Sequence, residues 1–123
     1  MKILVVGDIV GRPGRVIAER LLVPLREEHK LDCVIVNCEN AAGGAGITPP
    51  IAEDLFRAGV DVLTSGNHVW RKREAYELLR MDPRVIWPAN YPDGAPGSGS
   101  TVVETLAGET KRFLSPSFFR SSW

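Results

Sequence analysis

Short apolar runs that alternate with helix-like segments constrain the fold of this 123-residue chain more than any other feature. Residues 3–6, 31–38, 60–64 and 85–87 are rich in valine, isoleucine and leucine, as strands buried on both faces of a parallel sheet are. The segments between them place apolar residues at helical spacing. This β-α-β-α-β-α-β order predicts an α/β fold with a helix-covered parallel sheet and right-handed crossovers.

The first predicted helix has signals at its start, along its length and near its end. Pro13 suits a first helical turn, where its missing N–H is not needed. Ile17, Leu21 and Leu25 recur every four residues and are expected to form one apolar stripe. Pro24 is expected to kink or shorten the helix near its end.

The later elements are bounded by turn and capping residues. Thr48 is the expected N-cap of the second helix, and Gly59 suits the position after its last turn. Residues 71–80 are predicted to form the third helix, and residues 89–100 a loop rich in glycine, proline and serine. A fifth strand is predicted over residues 101–104.

Polar side chains follow three of the predicted strands. Asp8 ends the first strand region, Glu39 and Asn40 follow the second, and Asn67 and His68 follow the third. Ligands of open α/β sheets bind beyond the carboxyl ends of the strands, so we expect these three junctions to meet in space. Carboxylate and amide oxygens bind Mg²⁺ or Mn²⁺, and imidazole extends the range to iron and zinc.

This donor set predicts a phosphoryl-transfer site. Two ions about 3.5–4 Å apart would clamp a phosphoryl group and activate a water. Glu39 has two oxygens and could bridge such a pair, while His68 could protonate a leaving oxygen. Each residue alone also fits a structural role: Asp8 a cap, Glu39 a turn and His68 a structural histidine.

Other polar and aromatic residues have simpler interpretations. Arg12 and Arg15 could hold a phosphate near a helix start, but solvated surface is the preferred interpretation. His29 lies in a charged helix exit and is assigned no role. Trp70 and Trp87 are interpreted as packing residues rather than base-stacking platforms.

Composition limits the class of protein. The chain is 44% hydrophobic and 24% charged with zero formal net charge, which favours an ordinary globular domain without a strong nucleic-acid or membrane signature. The N-terminal apolar run is too short for a signal sequence or a membrane span. Cys33 and Cys38 would point to opposite faces of one strand, so we expect reduced, buried thiols and a cytoplasmic protein.

Three motifs of the chain resemble the signature blocks of metallophosphoesterases. They are residues 7–8, 37–44 and 65–68, which read Gly-Asp, Asn-Cys-Glu-Asn-Ala-Ala-Gly-Gly and Ser-Gly-Asn-His. The wider superfamily has Asp-x-His where this chain has Val10, and an aspartate where it has Glu39. Both departures resemble the YmdB-like branch, the 2′,3′-cyclic-nucleotide 2′-phosphodiesterases.

This resemblance implies a fold, a reaction and a role for each residue. The fold would be a metallo-dependent phosphatase-like α/β sandwich, hydrolysing 2′,3′-cyclic nucleotides or related phosphodiesters. Asp8 would bind a first metal, Glu39 would bridge both metals and Asn40 would complete the first site. Asn67 would bind the second metal, and His68 would be the proton donor. The two ions would be iron or manganese, with magnesium and zinc as alternatives.

The chain also departs from the resemblance. It contains only His29 and His68, whereas the resembled family has three further ligand histidines in a second half. Residues 1–104 are therefore interpreted as the N-terminal half of a metallophosphoesterase domain, apparently truncated, and residues 105–123 as a divergent tail. No strand is expected from about Lys111 onward, and a frameshifted gene is one hypothesis for the tail.

Truncation leads to an alternative function and to a structural expectation. The alternative is a catalytically silent α/β fragment that keeps some metal or anion affinity or acts through protein contacts. A sheet that normally continues would keep an open edge and an uncovered face, which predicts self-association as a homo-oligomer. A generic nucleotide-binding domain is disfavoured, because G-x-G-x-x-G and a P-loop lysine are absent from the sequence.

Overall fold

The computed structural model describes residues 1–115 and has an α/β architecture. The predicted β-α-β-α-β-α-β order is confirmed, and an antiparallel hairpin follows it. The elements in chain order are β1 Ile3–Asp8, α1 Gly11–His29, β2 Cys33–Asn37, α2 Pro49–Arg57, β3 Val62–Thr64, a 3₁₀ helix Asn67–Arg71, α3 Glu74–Met81, β4 Val85–Ile86, β5 Ser100–Glu104 and β6 Thr110–Leu114.

The first four strands form a parallel sheet in the order β1-β2-β3-β4. Right-handed crossovers between strands in sequential order place all the connecting helices on the same face. On that face Leu4 pairs with Val34, and Val36 pairs with Leu63. Residues from α1, α2 and α3 pack on these strands in one apolar core, so this face of the sheet is closed.

The opposite face of the sheet is partly open. Val62 and Ile86 are fully buried there, but Val5 at the edge strand β1 is 69% exposed. A groove of about 550 Å³ on this face is lined by apolar residues that include Val5, Ile35 and Leu114. The expectation that β1 is buried on both faces is therefore wrong, because the helices cover only one side of the sheet.

Helix α1 departs from the sequence prediction in two ways. It continues through Pro24 to His29, so the proline does not shorten it. Ile17 and Leu21 are exposed, and the buried positions are Ala18 and Leu22, one residue further along. Ala18 and Leu22 join the buried core, so they define the inward stripe of this helix.

The later elements largely follow their turn and capping signals. Thr48 occupies the N-cap position of α2, and Gly59 follows that helix with a φ of +99°, a conformation that favours glycine. Helix α3 begins at Glu74, after the separate 3₁₀ helix, rather than at Arg71. No helix in residues 1–115 has the length and apolarity needed to cross a membrane.

The expectation that no strand forms from about Lys111 onward is wrong, because a hairpin strand covers these residues. Thr110–Leu114 form β6, which pairs with β5 so that Phe113 lies opposite Thr101. Exposed and half-buried residues alternate along β6, a period-two pattern too short and too polar to recognise in the sequence. The tail phenylalanines Phe118 and Phe119 lie outside the described residues.

Both cysteines are buried and form no disulfide, as expected. Burial is the main cause of the raised pKa of the Cys33 thiol, about 11, and the nearby Asp61 carboxylate also raises it. Burial likewise raises the pKa of Cys38 to about 12. Both side chains are therefore neutral thiols at physiological pH.

Candidate active site

A bulge at Gly7 sets the direction of the Asp8 side chain. The register between β1 and β2 runs from Val6 opposite Val36 to Asp8 opposite Asn37, which leaves Gly7 as an extra residue. Side chains alternate along a strand, so without the bulge Asp8 would point to the helix-covered face. The extra residue turns Asp8 to the open face, where it lines the apolar groove together with Asn37.

A tight turn at the end of β2 fixes the backbone of Glu39. The Glu39 N–H donates to Asn37 Oδ1 at 3.0 Å, a side-chain turn typical of asparagine. The N–H of Gly46 donates to the Glu39 carbonyl oxygen and closes the loop that follows. Gly46 has a φ of +82°, which a residue with a side chain rarely adopts.

Glycine at position 66 lets the Glu39 side chain cross to the end of β3. A Cβ atom on Gly66 would lie 2.1 Å from Glu39 Oε2, closer than any real contact of that kind. The Glu39 carboxylate therefore lies directly against the Gly66 backbone. The neighbouring Ser65 is buried, and its Oγ donates to the Ile86 carbonyl at 2.9 Å, which ties this junction to β4.

A chain of hydrogen bonds joins the three strand ends. Asn40 Nδ2–H donates to Asp8 Oδ2 at 2.6 Å, and His68 Nδ1 lies 2.5 Å from Asn40 Oδ1. Because an amide oxygen only accepts, Nδ1 carries a proton in this arrangement and Nε2 is the second nitrogen of the ring. The expectation that the three junctions meet in space is confirmed by these contacts.

The five predicted site residues differ in exposure. Asp8 and Asn67 are exposed, whereas Glu39, Asn40 and His68 are half-buried. Asn67 begins the 3₁₀ helix directly after Gly66, so it follows the position against which the Glu39 carboxylate lies. The site is thus a shallow set of oxygen and nitrogen donors at the carboxyl end of the sheet.

The donor set fits a divalent cation in chemistry but is sparse. Two carboxylates and two amides supply the oxygen ligands that such ions prefer, and the glycine cradle for Glu39 holds one carboxylate in place. No group of three His, Cys, Asp or Glu side chains that could hold a metal exists within residues 1–115. A metal site formed by these residues would therefore need further donors, such as the amides of Asn40 and Asn67.

Three residues that position the site lie within the sequence motifs but were assigned no role there. Gly7 forms the bulge, Asn37 accepts from the Glu39 backbone and Gly66 makes room for the Glu39 carboxylate. Asn37 had a usable signal, since an asparagine two residues before a strand-end carboxylate is typical of a side-chain turn. The bulge had none, because its position depends on the register between two strands.

The arginines near the start of α1 make no hydrogen bond to this chain of contacts within residues 1–115. Arg12 is exposed, as expected for solvated surface, whereas Arg15 is half-buried. The buried Nε of Arg15 has no hydrogen-bond partner in the described part of the chain. His29 is exposed at the end of α1, which agrees with the absence of a role in the site.

Sequence comparisons match most of this chain to one protein family. A family model described as "YmdB-like protein" matches residues 4–114. The 2′,3′-cyclic-nucleotide 2′-phosphodiesterase of Bacillus subtilis (strain 168) is 41% identical over 104 residues, which are 85% of this chain and 39% of that protein. This chain therefore spans well under half the length of that relative.

Two solved structures share the fold. A hypothetical protein from Thermus thermophilus superposes with a TM-score of 0.85 at 38% identity, over 93% of this chain and 44% of that chain. A structure described as a novel phosphatase from Mycoplasma pneumoniae superposes with a TM-score of 0.77 at 32% identity, over 85% of this chain and 38% of that chain. The predicted phosphatase-like α/β fold is confirmed by these similarities.

Proposed function

Because the chain belongs to the YmdB-like protein family, we propose that its strand-end site hydrolyses phosphodiesters, with 2′,3′-cyclic nucleotides as the substrate class. The observation that carries the proposal is the hydrogen-bonded chain of Asp8, Asn40 and His68 beside the Glu39 carboxylate. The name of the Bacillus relative supports the substrate class. That relative is much longer than this chain, so the activity of the described residues needs its own test.

We assign the metal ligands on the chemistry of the donors. Asp8, Glu39, Asn40 and Asn67 would hold divalent ions, two in number, with iron or manganese preferred. When bound, such ions polarise a phosphoryl oxygen and lower the pKa of a water that attacks phosphorus. Asn40 Oδ1 has two lone pairs, so it can accept from His68 and still face a cation.

His68 is the proposed proton donor to the leaving oxygen. Its Nδ1–H is held by Asn40 Oδ1, which fixes the plane of the ring and leaves Nε2 to face the substrate. In the doubly protonated ring, Nε2–H passes its proton to the leaving alkoxide, while the proton on Nδ1 stays bonded to Asn40. Asp8 accepts from Asn40 and so keeps the amide oriented for this contact.

Hydrolysis of 2′,3′-cyclic AMP in the presence of Mn²⁺ or Fe²⁺ tests the proposal. His68→Ala should lower kcat by about 10²- to 10⁴-fold, the usual contribution of a general acid, and Asp8→Ala should abolish turnover. His29→Ala is the matched control, since it removes the other histidine from an exposed helix end. Turnover that is indifferent to both site changes would belong to a contaminating enzyme and would refute the proposal.

A catalytically silent domain that binds metal or anions is the second candidate. It is favoured by the absence of three grouped His, Cys, Asp or Glu ligands from the described residues. Measuring Mn²⁺ bound per chain beside turnover separates the two functions. Binding that is lost in Asp8→Ala, with no hydrolysis by the wild-type chain, would support the silent domain and exclude the enzyme.

Two further points belong to the same proposal. The buried, free thiols of Cys33 and Cys38 support a reducing compartment, and we assign the reaction to the cytoplasm. The exposed Val5 and Leu114 on the open face support self-association, which sedimentation at increasing protein concentration would detect.

A further inference from the structure

A pocket of about 630 Å³ lies where the 3₁₀ helix meets α3, and we call it the arginine–aromatic pocket. It is lined by Trp70, Arg71, Arg73, Tyr76, Glu77 and Arg80. His68 and Trp70 belong to the same 3₁₀ helix, which rises about 2 Å per residue. The pocket therefore begins within one turn of the proposed proton donor.

The charge of this pocket is positive although the chain as a whole is neutral. Arg71 and Arg73 form no ion pair within residues 1–115. The only acidic lining residue is Glu77, whose Oε2 lies 3.9 Å from Nη1 of Arg80. One glutamate opposes three arginines, so the lining keeps a net positive charge. The uncompensated guanidinium groups are suited to phosphate.

The groove on the other side of α3 provides a contrast. It contains two arginines, against three in the arginine–aromatic pocket, but Arg84 pairs with Asp82 at 2.6 Å and Arg57 pairs with Glu53 at 2.9 Å. Arginine content alone therefore does not distinguish the two depressions. What distinguishes the arginine–aromatic pocket is that most of its positive charge is unpaired within the described residues.

A row of aromatic rings extends from the pocket toward the site. Tyr76 is 39% exposed and packs 5.4 Å from Trp70, measured between ring centroids. Trp70 in turn lies 5.9 Å from Tyr91, and Tyr91 lies 5.7 Å from Trp87. Burial raises the pKa of Tyr91, and the charge of the Glu39 carboxylate adds to this effect.

We propose that the arginine–aromatic pocket binds single-stranded nucleic acid beside the reacting phosphodiester, so that the substrate is the end of an oligonucleotide. This inference rests on the proposed hydrolysis at the strand-end site. A cyclic mononucleotide has one phosphate, which the reacting site itself takes, whereas a strand offers further phosphates to Arg71 and Arg73. Bases of that strand stack on exposed aromatic rings such as Tyr76, without sequence preference.

The test is the binding of a fluorescently labelled six-nucleotide single-stranded RNA, followed by anisotropy in EDTA so that no hydrolysis occurs. The double change Arg71→Ser and Arg73→Ser should weaken binding about tenfold. It should also flatten the slope of log K against log salt by about 1.4, since each phosphate contact on a single strand contributes about 0.7. The matched control is Arg20→Ser with Arg57→Ser, two exposed arginines outside the pocket, which should bind like the wild type.

Tyr76 supplies the second arm of the experiment. Tyr76→Ala should weaken RNA binding about tenfold through lost stacking, and Tyr76→Phe should restore it because the ring is kept. All the substituted side chains, in the pocket pair, in the control pair and at Tyr76, are exposed. The variants should therefore fold normally. RNA affinity that is equal in the wild type, the pocket pair and Tyr76→Ala would overturn the proposal.

The two proposals fail separately. RNA binding that depends on the pocket, in a chain that does not hydrolyse 2′,3′-cyclic AMP, would support the pocket and refute the proposed hydrolysis. Hydrolysis that depends on His68, together with RNA binding that ignores the pocket changes, would support the enzyme and refute the pocket.

Discussion

The two faces of the parallel sheet are built differently. On the helix side, residues of β2, β3, β4 and three helices form one buried core, in which Leu63 is fully buried, and Leu4 and Val6 of β1 pack against it. On the other side, the groove along β1 and β2 leaves Val5 69% exposed. Most of the buried apolar residues in residues 1–115 therefore belong to the core on the helix side.

The candidate site belongs to the open side. The bulge at Gly7 turns Asp8 toward this face, and Asp8 and Glu39 both line the groove there. Carboxylates on a closed face would be desolvated and would need partners within the core. On the open face they stay accessible to a cation, to substrate and to further ligands. The contrast separates the residues that stabilise the fold from those that perform chemistry.

The largest expected difference between the faces is in stability. Leu63→Ala should lower the free energy of unfolding by about 2–5 kcal/mol, because the residue is fully buried and the change leaves a cavity. Leu114→Ala makes the same change on the open face, where the side chain is 67% exposed, and should cost no more than about 0.5 kcal/mol. Urea denaturation measures both, and equal losses would mean that the open face is covered in solution.

The next effect concerns the cradle that holds Glu39. In Gly66→Ala the new Cβ displaces the Glu39 carboxylate, which is the flexible end of its side chain, so the fold should be kept. Affinity for Mn²⁺ should fall about 10- to 100-fold, the usual effect of disturbing residues that orient a ligand. Calorimetric titration with Mn²⁺ measures the loss.

His29→Ala is the control for the cradle, since it changes an exposed side chain at the end of α1, outside the site. It should bind Mn²⁺ within about twofold of the wild type, because none of the proposed ligands is altered. Equal affinity in Gly66→Ala and the wild type would show that the position of the Glu39 carboxylate is irrelevant to the metal.

The smallest expected effect concerns the buried thiol of Cys33 on β2. Burial raises the pKa of Cys33 from 9.0 to about 11, so the unfolded chain loses this proton first as pH increases. The stabilising contribution is complete below about pH 9 and is lost as pH rises toward about 11. The stability difference between the wild type and Cys33→Ala should therefore shrink over that range in urea unfolding curves. A difference that is constant with pH would mean that the thiol is solvated.

The sequence was a good guide wherever local signals decided the structure. The apolar runs located β1 to β4, and Thr48 and Gly59 marked the ends of α2. The polar residues at the strand ends met as expected, because the carboxyl ends of parallel strands share one edge. Asp8 and His68 both join the hydrogen-bonded chain through Asn40.

The failures concern features that depend on distant contacts. Pro24 does not end α1, and the inward stripe of that helix passes through Ala18 rather than Ile17, because contacts with the rest of the core decide which residues are buried. The open face at Val5 follows from all helices lying on one side, which periodicity within a strand does not reveal. Likewise β6 is identified by its pairing with β5. Its own sequence is mostly polar and gives no clear strand signal.

The most direct test of the site is an anomalous-difference map from a crystal of this chain soaked in Mn²⁺. The proposed site predicts a peak in coordinating contact with the carboxylates of Asp8 and Glu39, and its loss in crystals of Asp8→Ala. The His29→Ala variant should keep the peak. Mn²⁺ density that avoids both carboxylates, or that persists unchanged in Asp8→Ala, would contradict a metal-dependent site at the strand ends.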